Sequence, residues 1–307
     1  MDIFKRSVDD HLIQEDVDGR DKPGHDGKQG NYPGMFMNTH PLRVGLAGLG
    51  AVGLEVARRL EAGIDGLTLT AVAVRDVDKA RRAIARIGHG IETVSPEALA
   101  EHCDIVVEGL PPAAFRQVAD STIARGRIFM PLSVGQLLEH WDLVEQAKIT
   151  GARILVPTGA LIGLDAVRAA AESEIRSVVM ITRKPPGGLE GAPYLRERNI
   201  TLVGLSEARK VFDGTAREGA RGFPANVNVA ATLSLAGIGP DRTRLQIWAD
   251  PAVTRNTHRI EVDADTASFS MAIENVPSEE NPRTGRITAL SAVAALRGLV
   301  STLRVGT

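Results

Sequence analysis

The feature that most constrains the fold of this chain is a glycine pattern between a short apolar run and an amphipathic segment. Residues 48–53 read Gly-Leu-Gly-Ala-Val-Gly and directly follow the apolar run Leu42–Ala47. Residues 52–62 then place apolar side chains at helical spacing, and a second apolar run covers residues 67–74. A strand, a glycine turn, a helix and a second strand in this order predict the βαβ unit that binds dinucleotides.

Each residue of the turn has a physical role in such a unit. Gly48 permits the tight turn, Gly50 lets a pyrophosphate approach the backbone, and Gly53 lets the helix pack closely on the strand. Ala51 and Val52 open the helix, whose free N–H groups and dipole favour a negative charge. A glycine turn without a ligand is the alternative, which the surrounding βαβ pattern disfavours. We predict that these five residues bind the pyrophosphate of a nicotinamide dinucleotide.

The end of the second apolar run leaves the choice of dinucleotide open. Residues 74–76 read Val-Arg-Asp. Asp76 could accept hydrogen bonds from the ribose hydroxyls of NAD, whereas Arg75 could equally bind the 2′-phosphate of NADP or be a solvated surface residue. We therefore expect NAD or NADP as the cofactor.

Short apolar runs continue to alternate with helical segments up to about residue 160. Further strands are predicted at 104–107, 127–130 and 153–156, and helices at 77–87, 96–102, 112–125 and 136–148. This alternation is typical of a doubly wound parallel sheet. Residues 42–160 are therefore predicted to form a Rossmann domain in an α/β protein.

The pattern changes after residue 160. Strands are predicted at 177–183, 244–249, 257–262 and 267–273, with helices at 164–172 and 226–235. We expect a second, α+β domain over residues 161–285, with an open and largely antiparallel sheet. The last helix, 286–303, has an apolar face and is expected to pack back on the first domain.

Composition limits the remaining possibilities. Residues 1–41 are rich in Asp, Gly, Lys and His with little periodicity, which predicts a disordered tail. The 36 basic and 38 acidic residues are spread along the chain, so no nucleic-acid partner is expected. No apolar run approaches the length of a membrane span, which indicates no membrane partner. The N-terminus lacks the apolar segment of a secretory signal, so the cytoplasm is the expected location.

Cysteine content bears on metals and disulfides. The one cysteine, Cys103, excludes an intramolecular disulfide and a cysteine-based metal cluster, and no metal is expected.

The second half offers one candidate proton acceptor. His258 follows the loop segment 250–257, where a scaffold can hold a side chain against a cofactor. Hydride removal from a carbon that carries an amine or hydroxyl also needs a proton acceptor, and an imidazole titrates in the useful range. A structural histidine is the alternative.

Several other polar residues are candidates for binding an anionic substrate. Arg183 and Lys184 offer positive charge for a carboxylate, or form a solvated strand end. Asn226 and Asn228 supply two amides at a helix start, where Asn226 could instead be an N-cap. Thr284 could bind an anion or cap the last helix.

Five motifs in the second half carry a resemblance to a known family. They are Thr-Gly-Ala at 158–160, Thr-Arg-Lys-Pro-Pro at 182–186, Phe-Pro-Ala-Asn-Val-Asn at 223–228, Asn-Thr-His at 256–258 and Glu-Glu-Asn-Pro-Arg-Thr at 279–284. Together with the glycine turn, they make the chain from residue 42 to about 305 resemble the L-aspartate dehydrogenase family. Two segments depart from the family's usual pattern: Thr158 and Leu161-Ile162 stand where serine and Ile-Gly are more common, and Gly285 stands where a serine is common.

The resemblance implies an NAD(P)-dependent oxidation of L-aspartate to iminosuccinate. That product feeds NAD biosynthesis or hydrolyses to oxaloacetate and ammonia. The resemblance also implies a homodimer, with residues 161–285 as the substrate and dimerisation domain. A related two-domain reductase of the dihydrodipicolinate or homoserine dehydrogenase type, and a non-catalytic dinucleotide sensor, are the alternatives.

Position by position, the resemblance also assigns site residues. His258 matches the family's active-site histidine, Asn228 an asparagine near the nicotinamide, and Ala160 a cofactor contact. For the two carboxylates of the substrate we predict a set of polar residues: Lys184, Arg183, Asn226 and Thr284.

Overall fold

The computed structural model of this protein describes residues 40–76, 82, 84–85, 87–224, 227–278, 281 and 284–306. The disordered tail predicted for residues 1–41 lies almost wholly outside these residues, as does most of the helix predicted at 77–87. The described chain contains two sheets, one of six strands and one of five.

The first sheet is parallel throughout, in the order β3-β2-β1-β4-β5-β6. Its strands are β1 (Leu42–Ala47), β2 (Leu67–Ala73), β3 (Glu92–Val94), β4 (Ile105–Glu108), β5 (Ile128–Pro131) and β6 (Arg153–Ile154). This is the order of dinucleotide-binding folds, and it reverses direction between β1 and β4. Ligands of such sheets bind in the crevice outside the carboxyl ends of the strands at that point.

The helices of this domain confirm the predicted α/β fold class, with two local corrections. The observed helices are α1 (Ala51–Glu61), α2 (Phe115–Ala124), α3 (Val134–Glu139) and α4 (Asp142–Thr150). The helix predicted at 136–148 is thus two helices, because His140 adopts φ −122° and ψ 54° and stacks on Phe115 with ring centroids 6.0 Å apart. The helix predicted at 96–102 is only a 3₁₀ turn at Leu99–Glu101.

The second sheet is open and largely antiparallel, as predicted. Its order is β11-β10-β7-β9-β8, and only the β7–β9 pair is parallel. The strands are β7 (Ile175–Lys184), β8 (Arg209–Thr215), β9 (Arg244–Ala249), β10 (Thr257–Ala264) and β11 (Ser268–Glu274). The same region contains the helices α5 (Leu164–Ala170), α6 (Pro193–Glu197), α7 (Ala216–Gly222) and α8 (Asn228–Ala236).

One face of this second sheet is buried and the other is partly exposed. Along β7, Val178, Met180, Thr182 and Lys184 are buried, and the residues between them are more exposed. Since side chains alternate between the faces of a strand, the four buried residues lie on one face. That face packs with residues of α5 and α8 in a single apolar core.

The last helix, α9 (Ile287–Val300), returns to the first domain. Its Ala292, Val293 and Leu296 are buried in the same apolar core as Val56 and Leu60 of α1. The segment between β11 and α9 therefore crosses from the second sheet to the first. Among the described residues, no helix is long and apolar enough to span a membrane.

Candidate active site

The glycine turn has the shape that a pyrophosphate requires. A Cβ on Gly48, whose φ is +100°, would lie 2.9 Å from the carbonyl oxygen of Gly109, and a Cβ on Gly53 would lie 2.1 Å from that of Gly48. By contrast, nothing lies within 4 Å of a Cβ built on Gly50. Gly50 therefore faces open space, whereas its two partners are packed against backbone.

The start of α1 is also suited to an anion. Ala51 and Val52 form its first turn, which contains no acidic residue, and Gly50 at its N-cap offers no capping side chain. The N–H groups of this turn and the helix dipole are thus available to a phosphate. The residues present fit a dinucleotide, whose pyrophosphate Gly48 to Gly53 would hold.

Arg75 and Asp76 follow the end of β2 after one residue, at the same carboxyl edge as the glycine turn. Both side chains are exposed. A carboxylate and a guanidinium therefore both lie at this edge.

A cleft lies between the two sheets. It brings together five of the residues that the sequence singles out: Ala160, Lys184, Asn228, His258 and Thr284. Its other lining residues are Leu132, Val134, Pro157, Gly159, Val229, Thr232, Asn256, Asn275, Gly285 and Thr288. The cleft is bounded by the carboxyl edge of the first sheet, the buried face of the second sheet and the start of α9.

His258 is the second residue of β10 and is only 3% exposed. Its register partner on β7 is Thr182, whose Oγ lies 3.1 Å from Nδ1 of the ring. Burial, together with the positive charge of Lys184, lowers the pKa of His258 to about 3. The imidazole is therefore neutral at physiological pH and can accept a proton.

Lys184 is the last residue of β7 and is 5% exposed. It lies two residues after Thr182, on the same buried face of the sheet. The site thus combines a neutral imidazole with the ammonium group of Lys184, and the ammonium group suits a substrate that carries a carboxylate.

Arg183 occupies the opposite face, which corrects the prediction that it binds a substrate carboxylate. Its Nη1 donates to Asp250 at 3.0 Å, and its guanidinium lies 4.9 Å from the ring centroid of Trp248. Since neighbouring residues of a strand point to opposite faces, Arg183 and Lys184 cannot both face the cleft.

Asn228 and Ala160 are held by contacts between the two domains, and Thr284 by a local one. Asn228 begins α8, and its Oδ1 accepts a hydrogen bond from the N–H of Gly135 at 3.0 Å. The carbonyl of Ala160 accepts from Nδ2 of Asn275 at 3.2 Å. Thr284 accepts from Nδ2 of Asn281 at 3.1 Å. Asn226 lies outside the described residues.

Sequence reasoning missed Thr182, which contacts His258, and four polar residues that line the cleft: Thr232, Asn256, Asn275 and Thr288. Thr182 could have been found, because a strand places it on the same face as Lys184. Asn275 is 4% exposed, and its Oδ1 is buried without a hydrogen-bond partner. No sequence pattern marks Asn275, whose neighbours come from distant parts of the chain.

Metal binding finds no support among the described residues. They contain no group of three His, Cys, Asp or Glu side chains that could hold an ion. Cys103 is buried, and burial raises the pKa of its thiol to about 12, so the thiol stays protonated.

A parallel sheet with a dinucleotide turn, joined to a second domain that supplies a histidine and a lysine, defines a two-domain NAD(P)-dependent dehydrogenase. Residues 48–157 match the family model described as "Homoserine dehydrogenase, NAD binding domain". Residues 165–299 match the one described as "Aspartate dehydrogenase, C-terminal".

Curated relatives identify the family. The chain is 55% identical to an L-aspartate dehydrogenase of Bradyrhizobium diazoefficiens over 266 residues, which cover 87% of this chain and 94% of the relative. It is 51% identical to L-aspartate dehydrogenase 3 of Bordetella bronchiseptica, over 87% and 98% of the two chains. The chain belongs to the L-aspartate dehydrogenase family.

Solved structures support the fold. The chain is similar to the aspartate dehydrogenase from Thermotoga maritima, with a TM-score of 0.68 and 22% identity over 87% of this chain and 100% of that one. A homoserine dehydrogenase from Thiobacillus denitrificans is more distant, with a TM-score of 0.55 and 17% identity over 85% and 73% of the two chains. At these identities, both likenesses concern the architecture.

Proposed function

We propose that this protein oxidises L-aspartate to iminosuccinate, with transfer of a hydride to NAD or NADP. Hydrolysis of iminosuccinate gives oxaloacetate and ammonia, and iminosuccinate itself could supply NAD biosynthesis. The observation that carries the proposal is the pairing of a buried neutral His258 with Lys184 at one end of the cleft. The reverse reaction, reductive amination of oxaloacetate, would use the same groups.

His258 is proposed to remove a proton from the substrate ammonium. With Nδ1 engaged by Thr182, Nε2 is the ring nitrogen available to a ligand. Loss of one proton from the ammonium leaves a lone pair on nitrogen, which forms the C=N bond as Cα loses its hydride. The bound dinucleotide supplies the acceptor for that hydride. The proton held by His258 then passes to solvent, and the reaction balances with iminosuccinate formed as its iminium ion.

Lys184 has two proposed effects. It neutralises one carboxylate of the substrate through a charge-assisted hydrogen bond. A bound carboxylate also offsets the positive charge that depresses the pKa of His258, since that charge is the second cause of the depression after burial. Substrate binding would therefore raise the pKa of His258 and make it a stronger base when it is needed.

A dicarboxylate needs more than one donor, and neutral side chains of the cleft can supply the others. Thr284, Thr288 and Asn256 line the cleft together with Lys184. Thr284 is proposed as a ligand of the second carboxylate. Asn228 and Ala160 are proposed to contact the nicotinamide half of the cofactor, because both line the cleft at the first domain's carboxyl edge.

Arg75 and Asp76 are proposed to bind the adenosine ribose, which leaves NAD and NADP both as candidates. The homodimer and the cytoplasmic location stay predictions that follow from the sequence.

The decisive experiment follows the absorbance of the reduced cofactor in the presence of the purified protein. L-Aspartate with NAD⁺ or NADP⁺ should give turnover, and oxaloacetate with ammonium and reduced cofactor should give the reverse reaction. L-Homoserine, L-asparagine and L-glutamate serve as matched controls that change one end or the length of the substrate. Turnover of homoserine without turnover of aspartate would reject the proposal, as would cofactor binding with no turnover of any of them.

A further inference from the structure

Glu108 carries a carboxylate at the carboxyl edge of the first sheet that the aspartate chemistry leaves unused. It is the last residue of β4 and is completely buried. Its register partners are Ala47, just before the glycine turn, and Pro131 at the end of β5. A buried carboxylate is costly unless hydrogen bonds compensate it, so its partners indicate its role.

Two loops donate hydrogen bonds to this carboxylate. Oε1 accepts from the N–H of Leu110 at 2.8 Å and from Oγ of Ser133 at 3.1 Å. Oε2 accepts from the N–H of Ser133 at 3.2 Å. The loops that follow β4 and β5 are therefore both hydrogen-bonded to the side chain of Glu108.

Both loops touch elements that fit the dinucleotide. The carbonyl oxygen of Gly109 and Cδ2 of Leu110 would lie 2.9 Å and 3.4 Å from a Cβ on Gly48, so this loop packs against the glycine turn. On the other side, Ser133 directly precedes α3, and the N–H of Gly135 donates to Oδ1 of Asn228. Glu108 thus connects the pyrophosphate end of the site with Asn228.

We propose that Glu108 is a positioning residue for the dinucleotide, whose ionised carboxylate fixes the spacing between the glycine turn and Asn228. An ionised carboxylate can accept from all three donors at once. Its protonated form gives up part of that accepting capacity and loosens Ser133, at the start of α3. Dinucleotide affinity should therefore depend on the protonation of Glu108.

Glu108 changes its protonation state within a pH range that a binding assay can cover. Burial raises its pKa to about 7, against the opposing effect of the hydrogen bonds from Leu110 and Ser133. The segments packed around it, residues 44–54, 109–115 and 128–138, contain no titratable side chain. From the second domain, Lys184 and His258 face the same cleft beside Leu132 and Val134. The pKa of His258, at about 3, lies well below this range.

The test measures the dissociation constant of NADH by fluorescence, with the full chain and no amino acid present; NADH is used because the 2′-phosphate of NADPH itself titrates in this range. The wild type should bind the dinucleotide several-fold more tightly at about pH 8 than at about pH 6, as Glu108 ionises. Glu108→Gln should weaken binding about tenfold at the higher pH and make affinity independent of pH over this range. Ser133→Ala removes only the Oγ donor and should weaken binding less.

Glu139→Gln is the matched control. Glu139 ends the same helix α3, and its carboxylate lies 3.5 Å from Nε of Arg221, away from the cleft lining. Its variant loses the same negative charge and should keep the wild-type affinity and pH profile. A Glu108→Gln protein with wild-type affinity and pH profile would overturn the proposal.

If Glu108→Gln does not fold, the pH profile of the wild type and the NADH affinity of Ser133→Ala test the proposal in its place. A flat wild-type profile, or wild-type affinity in Ser133→Ala, would then overturn the proposal. Because no amino acid is present, failure here is distinct from failure of the aspartate reaction.

Discussion

Oγ of Thr182 and Nδ1 of His258 lie 3.1 Å apart on neighbouring antiparallel strands, where the two residues are direct register partners. Lys184 follows Thr182 by one strand period on the same buried face. The pairing of β7 with β10 therefore sets the hydrogen bond that orients the imidazole, and it places the ring where burial, and secondly the charge of Lys184, lowers its pKa. A site on two paired strands is held more rigidly than one on loops.

Replacing His258 should remove most of the catalysis and leave the cofactor site intact. His258→Asn keeps a polar side chain but loses the base, so kcat/KM for L-aspartate should fall about a hundred-fold or more. The dissociation constant of NADH should not change. Steady-state kinetics and fluorescence titration check the two expectations. Near wild-type turnover in His258→Asn would show that another group takes the proton.

Thr182→Val tests the orientation of the ring by Thr182 with nearly the same side-chain volume. It should lower kcat about tenfold, because a partner that orients a catalytic histidine has effects of that order. An unchanged kcat in Thr182→Val would mean that strand packing alone orients His258.

Lys184 and Arg183 form a matched pair, since they are adjacent on one strand and point to opposite faces. Lys184→Met should raise the KM for L-aspartate about a hundred-fold, because loss of one charge-assisted hydrogen bond removes about 2–3 kcal/mol. Arg183→Met removes the pair with Asp250 and the contact with Trp248, both on the opposite face, and should leave KM within about twofold of the wild type. Equal effects of the two substitutions on KM would contradict the assigned faces.

Much of the fold could be predicted because the first domain has strong local signals. The buried strands of its sheet are continuous apolar runs, and β1 matches the predicted range Leu42–Ala47. The edge strand β3, Glu92–Val94, was missed because its three residues are largely exposed and carry no apolar run. The break at His140 was missed because apolar residues continue at helical spacing on both sides of it.

The candidate site was predictable only where a motif marked it. His258, Lys184 and Asn228 stand in recognisable motifs, and the structure brings all three to one cleft. Arg183 was wrongly grouped with Lys184, because neighbouring residues of a strand point to opposite faces and only one of the two can face the cleft. Asn275 and Glu108 could not be found, because their importance comes from tertiary neighbours such as Ala160 and Ser133.

Acid should destabilise the wild type more than His258→Asn. The pKa of His258 is about 3 in the folded protein against an ordinary value of 6.5. The unfolded chain therefore binds the proton first, and the stability contributed by the neutral ring is present above pH 6.5 and lost as the pH falls towards 3. Between neutral pH and about pH 4.5, the wild type should lose roughly 2 kcal/mol more of its unfolding free energy than the variant. Urea denaturation at the two pH values measures this difference, and equal losses would mean that His258 titrates normally.

Alanine substitutions can separate the function of Gly50, which leaves room for the pyrophosphate, from that of Gly53, which lets α1 pack closely. A Cβ on Gly50 meets nothing within 4 Å, and the residue's φ of −74° is one that alanine adopts readily. Gly50→Ala should therefore unfold at the wild-type temperature but bind NADH at least about tenfold more weakly, because the methyl group occupies space for the pyrophosphate.

A Cβ on Gly53 would instead lie 2.1 Å from the carbonyl oxygen of Gly48. Gly53→Ala should thus lower the thermal unfolding temperature as well as the affinity, since α1 must move away from β1. Thermal unfolding followed by circular dichroism, beside fluorescence titration with NADH, distinguishes the two variants. Wild-type affinity in Gly50→Ala would show that the dinucleotide does not approach the backbone at this glycine.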